Sequence, residues 1–267
     1  MTTGTLPVED ARAVTLLVAL EGRDGLVLSA DSRGTFGDPR GVTAQNDSIQ
    51  KAHILSHRAA VLAAGAGEVG ALIIQHARES IGIEGIDGVT PVMNALRETA
   101  REDYGEWFPS VQAIPAPALA ATGQVPTRPD LAFIVGGYEL PREDQEPQAR
   151  IYQLGSGTDF SPMVHDYGFA VAGVAQYALY LLNTLYEGDR SVEELTALAI
   201  YVINETATQD GKVGGPVNVV TVTPDNGGVL MTQEEVDAIA AANVTRSTGL
   251  RDSFYTRAAE QREGGEE

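Results

Sequence analysis

Three residues near the start of the chain, Thr15, Asp31 and Lys51, are of types that do nucleophilic chemistry together. A threonine hydroxyl attacks a carbonyl only when a base takes its proton. A carboxylate can hold a cation beside that hydroxyl, and lysine is a compact cation whose pKa can be shifted, whereas arginine stays charged. The chain has sixteen arginines but only two lysines, Lys51 and Lys212. The stretch from Thr15 to Asp31, TLLVALEGRDGLVLSAD, is two apolar runs joined by a turn rich in Gly and Asp, which predicts a β-hairpin. A turn centred near Arg23 sets Thr15 directly across from Asp31 at the open end. Lys51 opens a further strand-like run, KAHIL. One catalytic cluster of Thr15, Asp31 and Lys51 is therefore expected. The plainer alternative is a strand threonine next to a structural ion pair.

The elements that must position these residues follow in order. Residues 1–14 are a polar leader, either a removable propeptide or a loose terminus. After the hairpin comes a polar loop from Ser32 to Ser48. Strands are predicted at Ile49–Leu55 and Ala59–Ala64, then helices from Glu68 to about Ser80 and from Pro91 to Tyr104, the second with Thr90 as N-cap. Residues 109–129 carry five prolines and form a long loop or an inserted excursion. Strands are expected at Leu131–Tyr138, Ala149–Leu154 and Met163–Ala172, with a charged turn over 141–148. Helices are expected at Gln176–Glu187 and from the Ser191–Glu194 capping box to about Thr208. Strands Val217–Thr223 and Gly228–Met231 precede a second capping box, Thr232–Glu235, and a last helix that fades into an acidic, disordered end at 260–267. Strands, two helices, strands, two helices, strands is not the alternation of a doubly wound sheet. It predicts an α+β, four-layer αββα sandwich of two antiparallel sheets flanked by helices. One domain is expected over 15–235, with 236–267 as a tail.

Composition narrows the function. A formal charge of −19 argues against a nucleic-acid partner, because phosphate binding needs a basic surface. No apolar run reaches membrane-span length. No basic region followed by an apolar segment opens the chain, so a cytoplasmic location is expected. The absence of cysteine excludes disulfides, thiolate metal sites and a cysteine nucleophile. No cofactor is expected. His53 and His57 flank a strand and turn rather than sharing a helical face, so no metal pair is expected. Gly155-Ser156-Gly157 has no following lysine and lies between strands, so it is not a phosphate loop.

These residues carry a resemblance. Thr15-Leu-Leu-Val-Ala, Asp24-Gly-Leu-Val-Leu-Ser-Ala-Asp-Ser-Arg33, the Lys51 strand, Ala64-Gly65, Phe133-Ile-Val-Gly-Gly-Tyr138, Ala149-Arg-Ile-Tyr152, and Asp210 followed by Gly214-Gly-Pro-Val-Asn-Val219 together resemble the β-type subunits of the proteasome, within the N-terminal-nucleophile hydrolases. The resemblance spans roughly 13–235. It implies a threonine-type peptidase in which removal of the leader makes Thr15 the N-terminal residue. The hydroxyl would be the nucleophile. The freed α-amino group, titrating at about 7.7–8, would be the base. Lys51 would favour the alkoxide and Asp31 would hold Lys51. The Gly65 N–H matches the oxyanion donor, and Asp210 the supporting carboxylate. Ala63, with Ile49 and Gly67 nearby, matches the floor of a roomy specificity pocket for an apolar or aromatic side chain. The implied partners are peptide or unfolded protein substrates and the other subunits of a ring.

Three positions depart from the family pattern. Gly173 and Val213 stand where the family carries serines near the nucleophile's amine. Val14, a β-branched residue, stands where glycine usually precedes the nucleophile. The loop at 34–48 is also a few residues longer than usual. Two alternatives therefore stand beside the peptidase: a silent structural ring subunit of the same fold, and a dedicated N-terminal-nucleophile amidase or transpeptidase.

Overall fold

The computed structural model describes residues 15–37, 43–109, 128–141 and 146–263. The leader, most of the proline-rich stretch, much of the charged turn after Pro141 and residues 264–267 lie outside them. The chain builds two five-stranded sheets, antiparallel throughout, stacked between two helical layers. This is the four-layer sandwich expected from the order of elements.

The first sheet contains β1 (Leu16–Glu21), β2 (Leu26–Ala30), β10 (Phe169–Gly173), β11 (Asn218–Thr223) and β12 (Gly227–Leu230), in the order β10-β1-β2-β11-β12. The second contains β5 (Ala52–Ser56), β6 (Ala59–Gly65), β7 (Leu131–Tyr138), β8 (Ala149–Gly155) and β9 (Met163–Val164), in chain order. The unbroken apolar run of β1 follows from burial on both faces. Leu17 and Ala19 face the second sheet, while Leu16, Val18 and Leu20 pack under helices. Those helices are α3 (Ala175–Leu185) and α4 (Val192–Gln209). On the other side, α1 (Gly67–Glu84) and α2 (Val89–Trp107) cover the second sheet through Ile73, Ile74, Val92 and Leu96.

Several elements differ from expectation, each for a local reason. The hairpin turn is Gly22–Gly25, closed by Gly22 N–H donating to Gly25 O at 2.8 Å. Its two loop residues are Arg23 and Asp24, so the register runs one residue off a turn centred on Arg23: Leu17 faces Ala30 and Glu21 faces Leu26. The polar segment after Asp31 contains a small hairpin, β3 (Gly34–Gly37) with β4 (Thr43–Asn46). The run Met163–Ala172 is two strands in different sheets, split by a turn with Gly168 at φ +77°. Thr90 is not the cap of α2. Gly88 is, and the Thr90 hydroxyl instead bonds Glu139 and Tyr152.

Both capping boxes form, at Ser191/Glu194 and Thr232/Glu235. The last helix, α5 (Gln233–Glu263), runs past Glu260. Val236 and Asn243 anchor its first half, Asn243 donating to Ala197 O at 2.8 Å. Among the described residues no helix is long and apolar enough to cross a membrane.

Leu28 shows how tightly the sheets meet. It is fully buried, and a Cβ built on Gly136 in the facing sheet would come within 3.2 Å of its methyl. Leu28→Ala leaves a void that neither sheet can close. Urea unfolding of this variant should show a loss of about 2–5 kcal/mol with an unchanged m-value.

Candidate active site

Thr15, Asp31 and Lys51 do meet, but not by direct pairing across the hairpin. Asp31 is opposite Leu16: its N–H donates to Leu16 O at 3.3 Å, and Leu16 N–H donates to Asp31 Oδ1 at 3.0 Å. Thr15 therefore lies one residue beyond. Lys51 makes the connection from the other sheet. Its Nζ donates to Thr15 Oγ1 at 2.8 Å, to Asp31 Oδ1 at 2.8 Å and to Arg33 O at 2.7 Å. The Lys51 backbone is pinned between the sheets. Its N–H donates to Asn218 Oδ1 at 3.0 Å, and its carbonyl accepts from Ala63 N–H at 3.0 Å.

The cluster is dry. Thr15 and Lys51 are each 5% exposed and Asp31 is 0% exposed. Both oxygens of Asp31 are occupied: Oδ1 by Leu16 N–H and Lys51, Oδ2 by Arg33 N–H at 3.2 Å and Gly214 N–H at 3.1 Å. Four donors and no acceptor suit an ionised carboxylate. Burial works against both charges. It pushes the Asp31 carboxyl up, opposed by Lys51 and the backbone donors, and pushes the Lys51 ammonium down, opposed chiefly by Asp31. The three Lys51 contacts use all three N–H bonds of an ammonium, which has no acceptor. A charged Lys51 can thus stabilise negative charge on Thr15 Oγ1 but cannot take its proton.

The other expected site residues have less direct placements. Gly65 ends β6, two residues beyond Ala63, at the same end of the sheet as Lys51. Its φ is +102°, and a Cβ there would lie 2.0 Å from Asp130 O, so only glycine fits. Asp210 caps the end of α4, and its Oδ1 accepts from Lys212 N–H at 2.9 Å, a contact within its own turn. Of the pocket residues, Ala63 adjoins Lys51, Ile49 packs on Gly34, and Gly67 begins α1 with open space around it. The His53 ring donates from Nε2 to Gln50 O at 3.1 Å.

The two departures near Thr15 have structural content. Gly173 pairs with Leu16 at φ +89°, and a Cβ on it would lie 1.8 Å from Thr15 O. This backbone admits glycine and no serine. Val213 is fully buried in the apolar layer beneath α4. Neither position offers a hydroxyl.

Two contributors escaped the reading of the sequence as site residues. Arg33 supplies a carbonyl to Lys51 and an N–H to Asp31, and Asn218 fixes the Lys51 backbone. Both lie in stretches that carry the family resemblance, Asp31-Ser-Arg33 and Val217-Asn-Val219. That location was the available signal.

Two sheets flanked by helices, with a threonine at the open end of β1 beside a buried lysine and aspartate, define the N-terminal-nucleophile hydrolase fold. A solved structure described as "Anbu (Gly-1) mutant" from Hyphomicrobium sp. strain MC1 superposes with a TM-score of 0.63 at 19% identity, covering 90% of this chain and 96% of that one. The chain is similar to proteasome β subunits over most of its length. It is 25% identical to proteasome subunit beta of Saccharomonospora viridis over 241 residues, covering 86% of this chain and 76% of the relative. It is 26% identical to proteasome subunit beta 2 of Pyrococcus furiosus over 213 residues, covering 79% and 88%. No protein-family model matches the chain.

Removing the cation alone should expose the cost of the buried carboxylate. Lys51→Met leaves Asp31 with backbone donors only and should cost about 3 kcal/mol at neutral pH. In the variant the folded-state carboxyl titrates above the ordinary aspartate value of about 3.9, in the direction burial already imposes. The folded state then takes up a proton first, so stability is greatest below that value and falls as pH rises through the raised one. Urea titrations of variant and wild type should therefore converge as the pH is lowered toward 4.

Proposed function

We propose that the protein is a threonine-type endopeptidase that uses Thr15 as an N-terminal nucleophile within a proteasome-like ring. The observation that carries this reading is the Lys51 ammonium, whose three N–H bonds end on Thr15 Oγ1, Asp31 and Arg33 O. That geometry favours an alkoxide at Thr15 yet supplies no base. Cleavage after Val14 would create one, because the new α-amino group sits on the same residue as the hydroxyl and titrates at about 7.7–8.

In this mechanism Thr15 Oγ1 forms a bond to the scissile carbonyl carbon as its proton passes to the α-amine. The carbonyl oxygen becomes an oxyanion, which the Gly65 N–H receives. Collapse breaks the C–N bond, the α-ammonium returns the proton to the departing amine, and an ester to Thr15 remains. Water, deprotonated by the same amine, hydrolyses it. Asp31 keeps Lys51 charged and placed, and Asp210 steadies the loop beside the nucleophile. A dry site strengthens each of these charges relative to water. The likeness to proteasome β subunits supports both the peptide substrate and the ring. A ring also gives a reason for an indiscriminate nucleophile to be tolerated, since only unfolded chains reach its interior. A cytoplasmic location accords with that role.

The first experiment is the intact mass and N-terminal sequence of the protein purified as its native assembly. A chain beginning at Thr15, hydrolysis of an unfolded protein such as casein, and loss of both adduct formation and hydrolysis in Thr15→Ala are expected. A chain still joined at Val14–Thr15 in the mature assembly, with no adduct from a threonine-directed electrophile, would overturn the proposal in favour of a silent structural subunit.

A further inference from the structure

Beside the cluster lies an ion pair that the chemistry above does not use. The Arg33 guanidinium meets Asp47 as a fork, Nε to Oδ1 and Nη2 to Oδ2, both at 2.8 Å. Its remaining terminal nitrogen, Nη1, donates to Gly211 O at 3.0 Å and Val213 O at 3.4 Å. The same residue's backbone gives its carbonyl to Lys51 and its N–H to Asp31. Asp47 directly follows β4, in the hairpin segment that is longer here than the family pattern. Its carbonyl accepts from the Ser32 hydroxyl at 2.8 Å. The loop Gly211–Gly215 lies flush on this pair: a Cβ on Gly214 would sit 2.6 Å from the guanidinium carbon, and one on Gly215 would sit 2.9 Å from the Asp47 Cβ. Gly214 is also the residue whose N–H reaches Asp31 Oδ2.

We infer that Arg33 and Asp47 form a positioning clamp for the nucleophile's cation. The fork holds the Gly211–Gly215 loop and the Arg33 backbone at the distances that complete the shells of Lys51 and Asp31. Two observations separate this from an ordinary surface pair. A part-exposed ion pair contributes little to stability, yet here all three guanidinium nitrogens donate, Nε and Nη2 to a carboxylate in fork geometry and Nη1 to two carbonyls of a third segment. And two adjacent glycines leave the space that the pair fills. Lys51 carries three acceptors already, on Thr15, Asp31 and Arg33, so Asp47 acts through Arg33 and not by bonding Lys51 or Thr15. Val213 offers no side-chain polar group to tie the loop down, so the Arg33 guanidinium adds a side-chain tether to the backbone bonds that Gly214 makes with Asp31 and Ser32.

The clamp deepens the peptidase reading for its effect on rate, but it can be tested without turnover. Lys51 and Lys212 are the only lysines, so selective 13Cε-lysine labelling of the full protein gives two NMR signals, assigned by Lys212→Arg. The groups facing Lys51 are Asp31, Asp47 and Arg33. Asp47 holds its ammonium up and Arg33 pulls it down, so Asp47→Asn and Arg33→Gln move its charge balance in opposite directions. A clamp nevertheless predicts the same loss from both. Each should lower kcat about tenfold or more with little change in KM, and the double variant should be no worse than the more severe single. Arg33→Lys keeps the charge but loses the fork, and should behave like Arg33→Gln. The three variants that add no lysine should displace the Lys51 signal, and all four should keep unfolding midpoints near wild type. Opposite effects on kcat, additive losses, or a wild-type Lys51 signal in every variant would overturn the clamp. If the wild type shows no turnover and no adduct, the peptidase reading fails by itself, and the Lys51 signal across the variants then decides the clamp.

Discussion

The structure depends on an ammonium and a carboxylate being kept out of water. Taking either ion into a dry interior costs several kcal/mol, and mutual attraction offsets this only when hydrogen bonds complete both shells. Asp31 obtains its partners from Leu16, Arg33, Lys51 and Gly214, which belong to four separate segments of the chain. Lys51 obtains its own from Thr15, Asp31 and Arg33. The two sheets must therefore close on each other in one register for the pair to be tolerable at all. The apolar layer between them, with Leu17, Leu28, Leu62 and Ile134, supplies the burial that holds that closure. The packing that excludes water from the core thus also dries the site, and the site gains its electrostatic strength from the same exclusion.

Register is what converts this closure into geometry. A slip of one residue in a strand turns every side chain to the opposite face. The Gly22–Gly25 turn fixes β1 against β2, and the result is that Asp31 faces a backbone amide while Thr15 projects just past the pairing. Gly173 continues the constraint from the other side, since its neighbour Val174 donates to Thr15 O at 2.8 Å and no side chain fits at Gly173 itself. The absence of the family's serine there is a consequence of how closely β10 approaches Thr15, not an isolated substitution. Where the resembled proteasome β pattern carries hydroxyls, this protein places a close backbone contact and a buried valine, and its polar partners gather instead on the Lys51 side.

Much of this was written in the sequence by itself. The apolar runs, the capping boxes at Ser191 and Thr232, and the order of strands and helices were enough for the four-layer sandwich, because periodicity and end signals are local properties of a chain. The types of Thr15, Asp31 and Lys51 and their place near strand ends were enough to group them. How they meet is settled by long-range packing. That Lys51 bridges Thr15 and Asp31 from the second sheet, that β9 and β10 separate into different sheets, and that Arg33, Asp47 and Gly214 complete the surroundings all depend on segments far apart in sequence. A one-residue difference in turn register, and the choice of which sheet each strand joins, are settled by packing summed over the whole sandwich. No local pattern carries that sum.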